Sequence, residues 1–356
     1  QRVRLADIAA AAQHVTPTWT PSVTRTDYED AIARIRRYIE DGDSYQVNYT
    51  LRMRAPFAGD AAALFLAMQA NGGARYGAWL NSGRFTLCSA SPELFFSLDG
   101  DRLISRPMKG TLSRGRWLEE DAAHAARLTA SSKDRAENVM IVDLVRNDLA
   151  RIARAGSVRV SALFEAERYP TLWQMTSTVE ARTEGSLDDV LAATFPAASI
   201  TGAPKARTMQ IIAELECAPR GIYTGSIGFL APDRRAQFNV AIRTALIDRE
   251  ARTVEYGVGG GVVWDSRSAA EYDECLLKAR VVTQAPMRFE LLETMLWEAD
   301  GGWFLLDRHL ARLARSASYF AFTVDIDAVR ARLAALAPTF VQPRQRVRVT
   351  VARDGV

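Results

Sequence analysis

The chain has 356 residues, 48% hydrophobic and 24% charged, the proportions of an ordinary globular protein with room for one large domain and part of another. Forty-five Lys and Arg against forty-two Asp and Glu leave a formal charge of +3, and the arginines are scattered singly, which argues against a nucleic-acid partner. The N-terminus carries too many charges for a signal peptide and no segment approaches the ~18 uninterrupted apolar residues of a membrane span, so a cytoplasmic protein with no membrane partner is expected.

In chain order, residues 1–25 read as a lead-in ending in the Thr/Pro-rich stretch VTPTWTPSVTRT. Thr26 is placed to cap a helix in which Tyr28, Ile32, Ile35 and Ile39 follow the helical period, with Gly42 as its stop. A strand follows, with Tyr45, Val47, Tyr49, Leu51 and Met53 on one face and Gln46, Asn48 and Thr50 on the other. RYGAWLNSG, FTLCSASPELFFSLDGDRLISRPMKG and RRAQFNVAIRTALIDREARTVEYGVGGGVV read as antiparallel strands joined by Gly, Asp-Gly and Pro-Asp turns. Between them SSKDRAENVMIVDLVRNDLARIARAG reads as a long helix with a Ser cap and a closing glycine. Strands and helices come in blocks, so the fold class is α+β, layered antiparallel sheets flanked by helices. A strand, turn, strand and helix restart near residue 288 and form a second, partial α+β segment over 286–356, leaving 26–285 as the main domain.

Cys88, Cys217 and Cys275 have no C-x-x-C spacing, and His14, His124 and His309 form no metal-binding pair. If the chain is an enzyme, its acid-base chemistry and any metal binding must rest mainly on carboxylates and lysine. Asp134 with Glu137, and Glu271 with Glu274, each lie three apart on a helix face and suit a hard cation such as Mg²⁺, although such pairs are also common on solvated faces. Gly259, Gly260 and Gly261 could bring bare amides to an anion, or mark a β-bulge or tight bend, the simpler local reading. Arg243, opposite the apolar Phe238, Val240 and Ile242, could fork a carboxylate or face water. Ser199, Thr201 and Gly202 precede a helix with Pro204 in its first turn. Glu93, before the apolar LFF, could be a carboxyl of raised pKa. Lys109, in SRPMKGTLSRG, is either a solvated turn lysine or a desolvated nucleophile.

The order of GDSYQVNYT, SASPELFF, RPMKGT, DRAENVMIVDLVRNDLARI, YPTLWQMTSTV, FPAASITGAPKARTMQIIAELE, RGIYTGSIGFL, NVAIRT, GVGGGVVWDS and EYDECLLKA resembles the chorismate-utilising enzymes over roughly residues 26–283. Within them the chain is most similar to the component I type of aminodeoxychorismate synthase. The resemblance implies a chorismate-binding fold and a transferase of the aminotransferase class, Mg²⁺-dependent, that aminates chorismate to 4-amino-4-deoxychorismate for p-aminobenzoate and folate. Ammonia would come from a glutamine amidotransferase subunit. It implies Lys109 as nucleophile and Glu93 as general acid, Glu137 and Glu274 as metal ligands, and Asp134 and Glu271 as supporting carboxylates. Substrate contacts would come from Gln46, Thr111, Thr201, Tyr223, Arg243, Gly259, Gly260, Gly261 and Lys278. Met108 stands where the family has isoleucine, Gln174 where anthranilate synthases have histidine, and Ala198 where glycine is frequent.

FELLETM and RHLARLARSASYFAF resemble the start of an aminodeoxychorismate lyase, a class IV aminotransferase-like domain. There Arg312 would meet a cofactor phosphate, and the sequence stops before that family's Schiff-base lysine, so pyridoxal phosphate is not expected on this chain. The rival readings are anthranilate synthase component I and a non-catalytic scaffold of the same fold.

Overall fold

A computed structural model describes residues 17–284 and 289–353, so His14 and most of the lead-in lie outside the described residues. The described residues divide into two compact units that are not contiguous in sequence: Arg114–His124 belongs with residues 289–353, and residues 17–113 with 125–284 form the larger unit.

The larger unit begins with β1 (Thr20–Pro21), α1 (Arg25–Glu40), β2 (Gln46–Pro56), α2 (Ala61–Gly72), β3 (Ala78–Asn81), β4 (Phe85–Ser89), β5 (Leu94–Asp99), β6 (Arg102–Arg106) and β7 (Met108–Ser113). It continues, after α3 (Leu118–Ala130) crosses back from the smaller unit, with α4 (Ser132–Ala150), β8 (Arg159–Arg168), β9 (Leu172–Arg182), α5 (Leu187–Thr194), β10 (Gly202–Ala203), α6 (Lys205–Leu215) and β11 (Ser226–Ala231). β12 (Arg235–Val240), β13 (Thr244–Asp248), β14 (Thr253–Val262) and α7 (Ser268–Thr283) complete it.

Two antiparallel sheets carry the larger unit. One runs β1-β2-β14-β13-β4-β3 with β10 also on β2, the other β11-β12-β5-β6-β9-β7 with β8 on β9. The apolar face of the first is covered by Tyr28, Ile32 and Ile35 of α1, Leu64 and Met68 of α2, and Cys275 and Ala279 of α7. The second packs Phe96, Leu103 and Val179 against Ile141, Val142, Val145 and Leu149 of α4. This is the α+β layering expected from the blocks of strand and helix.

Several local readings need correction. Thr24, not Thr26, caps α1, accepting from the Asp27 amide while Asp27 reaches back in a capping box. Tyr45 is 72% exposed and precedes the strand. The other face of β2 is no solvent face either: Gln46, Asn48, Thr50 and Arg52 are buried. Segment 200–220 covers them, with Asn48 donating its amide to the Thr201 carbonyl at 2.7 Å and Thr50 donating its amide to Glu216 at 3.0 Å. A strand buried on both faces conceals its alternation. The long helix keeps its Ser131 cap but stops at Ala150, ahead of Gly156. Pro204 is the N-cap of α6 rather than part of its first turn.

The smaller unit contains β15 (Leu291–Glu298), β16 (Gly302–Trp303), α8 (Leu306–Phe320), α9 (Ile326–Leu336) and β17 (Arg344–Val351) in a β16-β15-β17 sheet, following the predicted strand, turn, strand and helix. Leu313 and Ala317 of α8 pack on Leu291 and Val351. Arg114–His124 is built into this unit: Arg114 forks Asp121 and lies over the Tyr319 ring at 5.0 Å, the Tyr319 hydroxyl donates to the Gly115 carbonyl, and Arg315 pairs with Glu119.

Candidate active site

A cleft of about 330 Å³ in the larger unit gathers residues from both sheets and from α4 and α7. Glu93, Lys109, Thr111, Asp134, Glu137, Tyr223, Arg243, Gly259, Gly261, Glu271, Glu274 and Lys278 line it. Gln46, Thr201 and Gly260 do not.

Lys109 reaches the cleft because β7 is irregular. Its pairing with β9 slips between Met108 and Thr111, and Gly110 adopts φ +99°, a conformation that side chains disfavour. Two side chains outside the expected set hold this bulge: Asn138 donates to the Lys109 carbonyl at 3.3 Å and Gln174 to the Gly110 carbonyl at 2.7 Å. Thr111 donates to the other end of the Gln174 amide at 3.2 Å. Asn138 directly follows Glu137 and lies four residues after Asp134, so the helical spacing that singled out the carboxylates also contained it.

The Lys109 side chain is only 15% exposed and its Nζ stands 4.0 Å from Glu137. Burial lowers its pKa, opposed by the Glu137 charge. It is not a solvated turn lysine. A Cβ on Gly261 would sit 2.3 Å from the Lys109 Nζ and 2.7 Å from the Gln46 Nε2, so glycine leaves the amine its place. Gln46 lies behind this point, wholly buried, with neither amide atom hydrogen-bonded.

Glu93 is buried just before β5, and burial pushes its carboxyl up to about 7. The Ser199 hydroxyl beside it, which lies outside the geometry of a formed hydrogen bond, and the Met108 amide pull the other way, as do the charges of Lys109 and Arg243.

Both carboxylate pairs lie on helices as predicted, Asp134 and Glu137 on α4, Glu271 and Glu274 on α7. The Ser131 cap fixes the first turn of α4 by accepting from the Asp134 amide at 3.2 Å. Ser266 donates to Glu271 at 2.7 Å, and burial raises the Glu271 pKa. Lys278 pairs with Glu274 at 2.8 Å and donates to the Gly259 carbonyl at 2.8 Å, and its charge holds the Glu274 pKa down. Burial acts to lower Lys278 itself, but the facing carboxylates prevail and raise it. Among the described residues no three such groups already converge as a metal cage. Hard oxygens on two helices of one cleft nonetheless fit Mg²⁺, which keeps several waters and takes few protein carboxylates.

Gly259, Gly260 and Gly261 are neither bulge nor bend. β14 pairs with β2 without a break from Thr253 to Val262, with Gly259 opposite Thr50 and Gly261 opposite Asn48. Close approach explains Gly259, as it does Gly257 before it: a Cβ on Gly259 would lie 2.5 Å from the Tyr49 carbonyl oxygen, and one on Gly257 2.1 Å from the Tyr223 ring. Tyr223 is further fixed by the Arg52 guanidinium, 5.0 Å from its ring centre.

Arg243 does not sit on a strand face. It occupies the break between β12 and β13 at φ +48°, donating to the Gly72 carbonyl at 3.3 Å beside the Tyr169 ring. Burial lowers its pKa. Thr201 is buried, and its hydroxyl donates to the Ala197 carbonyl at 3.1 Å. In the smaller unit Arg312 holds the buried Glu293 through Nε at 2.7 Å, and Glu293 also meets His309 Nδ1 at 2.8 Å.

The arrangement offers a buried amine, a carboxyl poised near neutrality and a carboxylate-lined wall, with an arginine set apart in the same cleft. Residues 7–284 match the family described as chorismate binding enzyme, and residues 290–355 match amino-transferase class IV. Anthranilate synthase component 1 1 of Haloarcula marismortui is 42% identical over 75% of this chain and 55% of its own length. Aminodeoxychorismate synthase component 1 of Escherichia coli is 40% identical over 76% and 60%. The chain thus spans little more than half the length of these relatives. The crystal structure of anthranilate synthase component I from Streptococcus pneumoniae superposes with a TM-score of 0.70 at 31% identity, covering 76% of this chain and 60% of that one. No described helix is long and apolar enough to cross a membrane. With a matching family model over residues 7–284, most of its length, the chain belongs to the chorismate-binding enzymes.

Proposed function

We propose that the protein aminates chorismate to 4-amino-4-deoxychorismate. The observation that carries this reading is the delivery of Lys109 into the cleft, its amine desolvated between Gly261 and Glu137. The Lys109 Nζ lone pair forms a bond to C2 as the ring double bonds shift and the C4–O bond breaks. Glu93, protonated near neutrality, gives its proton to the departing hydroxyl, which leaves as water. Ammonia then adds at C4, the C2–N bond breaks and its pair returns to Lys109, and the proton lost by the new C4 ammonium restores the Glu93 carboxyl. Chorismate and ammonia thus become aminodeoxychorismate and water.

Mg²⁺ is the proposed cofactor: Glu137 and Glu274 would hold it with Asp134 and Glu271 as supporting carboxylates, and when bound it would supply positive charge to the ring carboxylate. Arg243, Tyr223 and the β14 glycines serve the enolpyruvyl carboxylate. Gln46, a neutral amide behind the amine, suits ammonia as the incoming group, drawn from a glutamine amidotransferase subunit. The position of Thr201 favours a role in shaping the segment over β2 rather than direct contact. The smaller unit, with Arg312 held by Glu293, is not assigned pyridoxal phosphate.

The similarity to anthranilate synthase component 1 at 42% identity favours a second reading, in which the product is anthranilate. Incubation with chorismate, Mg²⁺ and an ammonium salt, followed by mass spectrometry, separates them. Aminodeoxychorismate from the parent and none from Lys109→Ala is the expected result; anthranilate from both would overturn the proposal.

A further inference from the structure

Only four of the forty-five basic residues are lysines: Lys109, Lys133, Lys205 and Lys278. Three of these line the cleft, while Lys205 is tied to Asp148 and to the Thr194 carbonyl. A chain that uses arginine almost wherever it needs positive charge keeps its compact ammonium groups largely for this one site.

Two cleft lysines are already engaged, Lys109 facing Glu137 and Lys278 bound to Glu274 and the Gly259 carbonyl. Lys133 is exposed and makes no hydrogen bond or ion pair among the described residues. It is also poorly placed for helix stability. Ser131 is the N-cap of α4, so Lys133 lies in the first turn, where the unpaired amides repel a cation. It nonetheless lines the cleft, with Glu274 of α7 on the same lining. A residue that opposes its own helix and has no hydrogen-bond or ion-pair partner among the described residues is accounted for by a partner that arrives from outside.

We propose that Lys133 is a substrate-binding residue whose ammonium pairs with a carboxylate of the anionic substrate at the cleft mouth. Asp134, Glu137, Glu271 and Glu274 put four carboxylates on the α4 and α7 wall, more negative charge than a single Mg²⁺ offsets, so the wall still disfavours a dicarboxylate. Lys133 is the cleft lysine free to offset that repulsion, and it also draws the substrate in over the wall. The inference rests on chorismate being the ligand.

The test is calorimetric titration of chorismate into the full chain with Mg²⁺ and no ammonia, beside steady-state kinetics. Lys133→Ala is expected to weaken binding and raise KM about tenfold while kcat stays within about twofold, and Lys133→Arg to recover most of the loss. The difference between parent and Lys133→Ala should shrink towards about 0.5 M salt, where exposed charges are screened. A Kd for Lys133→Ala within about twofold of the parent at low salt, or a parent that binds no chorismate, overturns the proposal. A parent that binds chorismate but forms no aminodeoxychorismate removes the amination reading and leaves the Lys133 result standing.

Discussion

Gln174 and Gly110 are joined across the β7 bulge by a 2.7 Å hydrogen bond from the glutamine Nε2 to the glycine carbonyl, one residue beyond Lys109. The Gln174 Oε1 also accepts from Thr111, so a single side chain fixes both the turn and the strand after it. Gln174→Ala leaves that carbonyl and hydroxyl without their partner, at a stability cost of about 1–3 kcal/mol. Activity should fall further than stability explains, about tenfold or more in kcat with little change in KM, because a displaced amine loses its near-attack geometry. Thermal melts and product assays on the same preparation check both parts; an unchanged kcat would show that the bulge holds itself.

Gly261→Ala and Gly260→Ala form a matched pair on one strand. A methyl at 261 meets Lys109 Nζ at 2.3 Å, whereas one at 260 meets nothing closer than Glu271 Oε2 at 3.1 Å. Gly261→Ala should lose at least about a hundredfold in turnover while folding normally, and Gly260→Ala should lose far less. Circular dichroism separates loss of fold from loss of chemistry.

The raised pKa of Glu93 gives two pH dependences. As the acid that protonates a leaving hydroxyl it must hold its proton, so turnover should decline as pH rises through about 7, and Glu93→Gln should abolish it. Folding shows the same group from another side. Its folded pKa lies above the unfolded value, so its contribution is full below about 4.5 and is lost as pH rises towards 7, on the order of 3 kcal/mol in total. Glu93→Gln should therefore gain stability relative to the parent as pH rises from about 4.5 to about 7 in denaturant titrations. A stability difference independent of pH would show that the carboxyl titrates normally.

Much of this site was legible because helical spacing preserves it. Asp134 with Glu137 and Glu271 with Glu274 needed only a correct helix to share a face, and both helices form. That the two helices line one cleft depends on the sheets between them, which no local pattern states. Arg243 was misplaced because its strand period breaks at a positive φ, a conformation that nothing in NVAIRT announces. The glycines of β14 were ambiguous since their cause is a neighbour distant in sequence, the Tyr49 carbonyl for Gly259 and the Lys109 amine for Gly261. Asn138 and Gln174 escaped notice as supports because a carbonyl freed by a bulge becomes visible only when the strand pairing is known.

Chelation of divalent cations should reduce chorismate binding sharply, and Glu274→Ala should raise the Mg²⁺ concentration needed to restore it by about tenfold or more. Lys278 makes this variant informative, since its ammonium loses its 2.8 Å partner at the same time. Glu274→Gln keeps the volume and removes the charge, and it should show the same cation dependence. Titration calorimetry with and without Mg²⁺ checks the order; equal binding in both conditions would discard the cation.

The residues Arg114–His124 carry a consequence for anyone separating the two parts of this gene. A cut near residue 285 follows the order of the sequence but not the division in space, and it takes Tyr319 and Arg315 away from Gly115 and Glu119. Neither product is a finished object: one loses the ring and the cation that meet Gly115 and Glu119, the other the carbonyl and carboxylate that meet Tyr319 and Arg315. Independence would require redesigning both sides of the cut, and a fusion of this kind, once made, resists reversal by simple trimming.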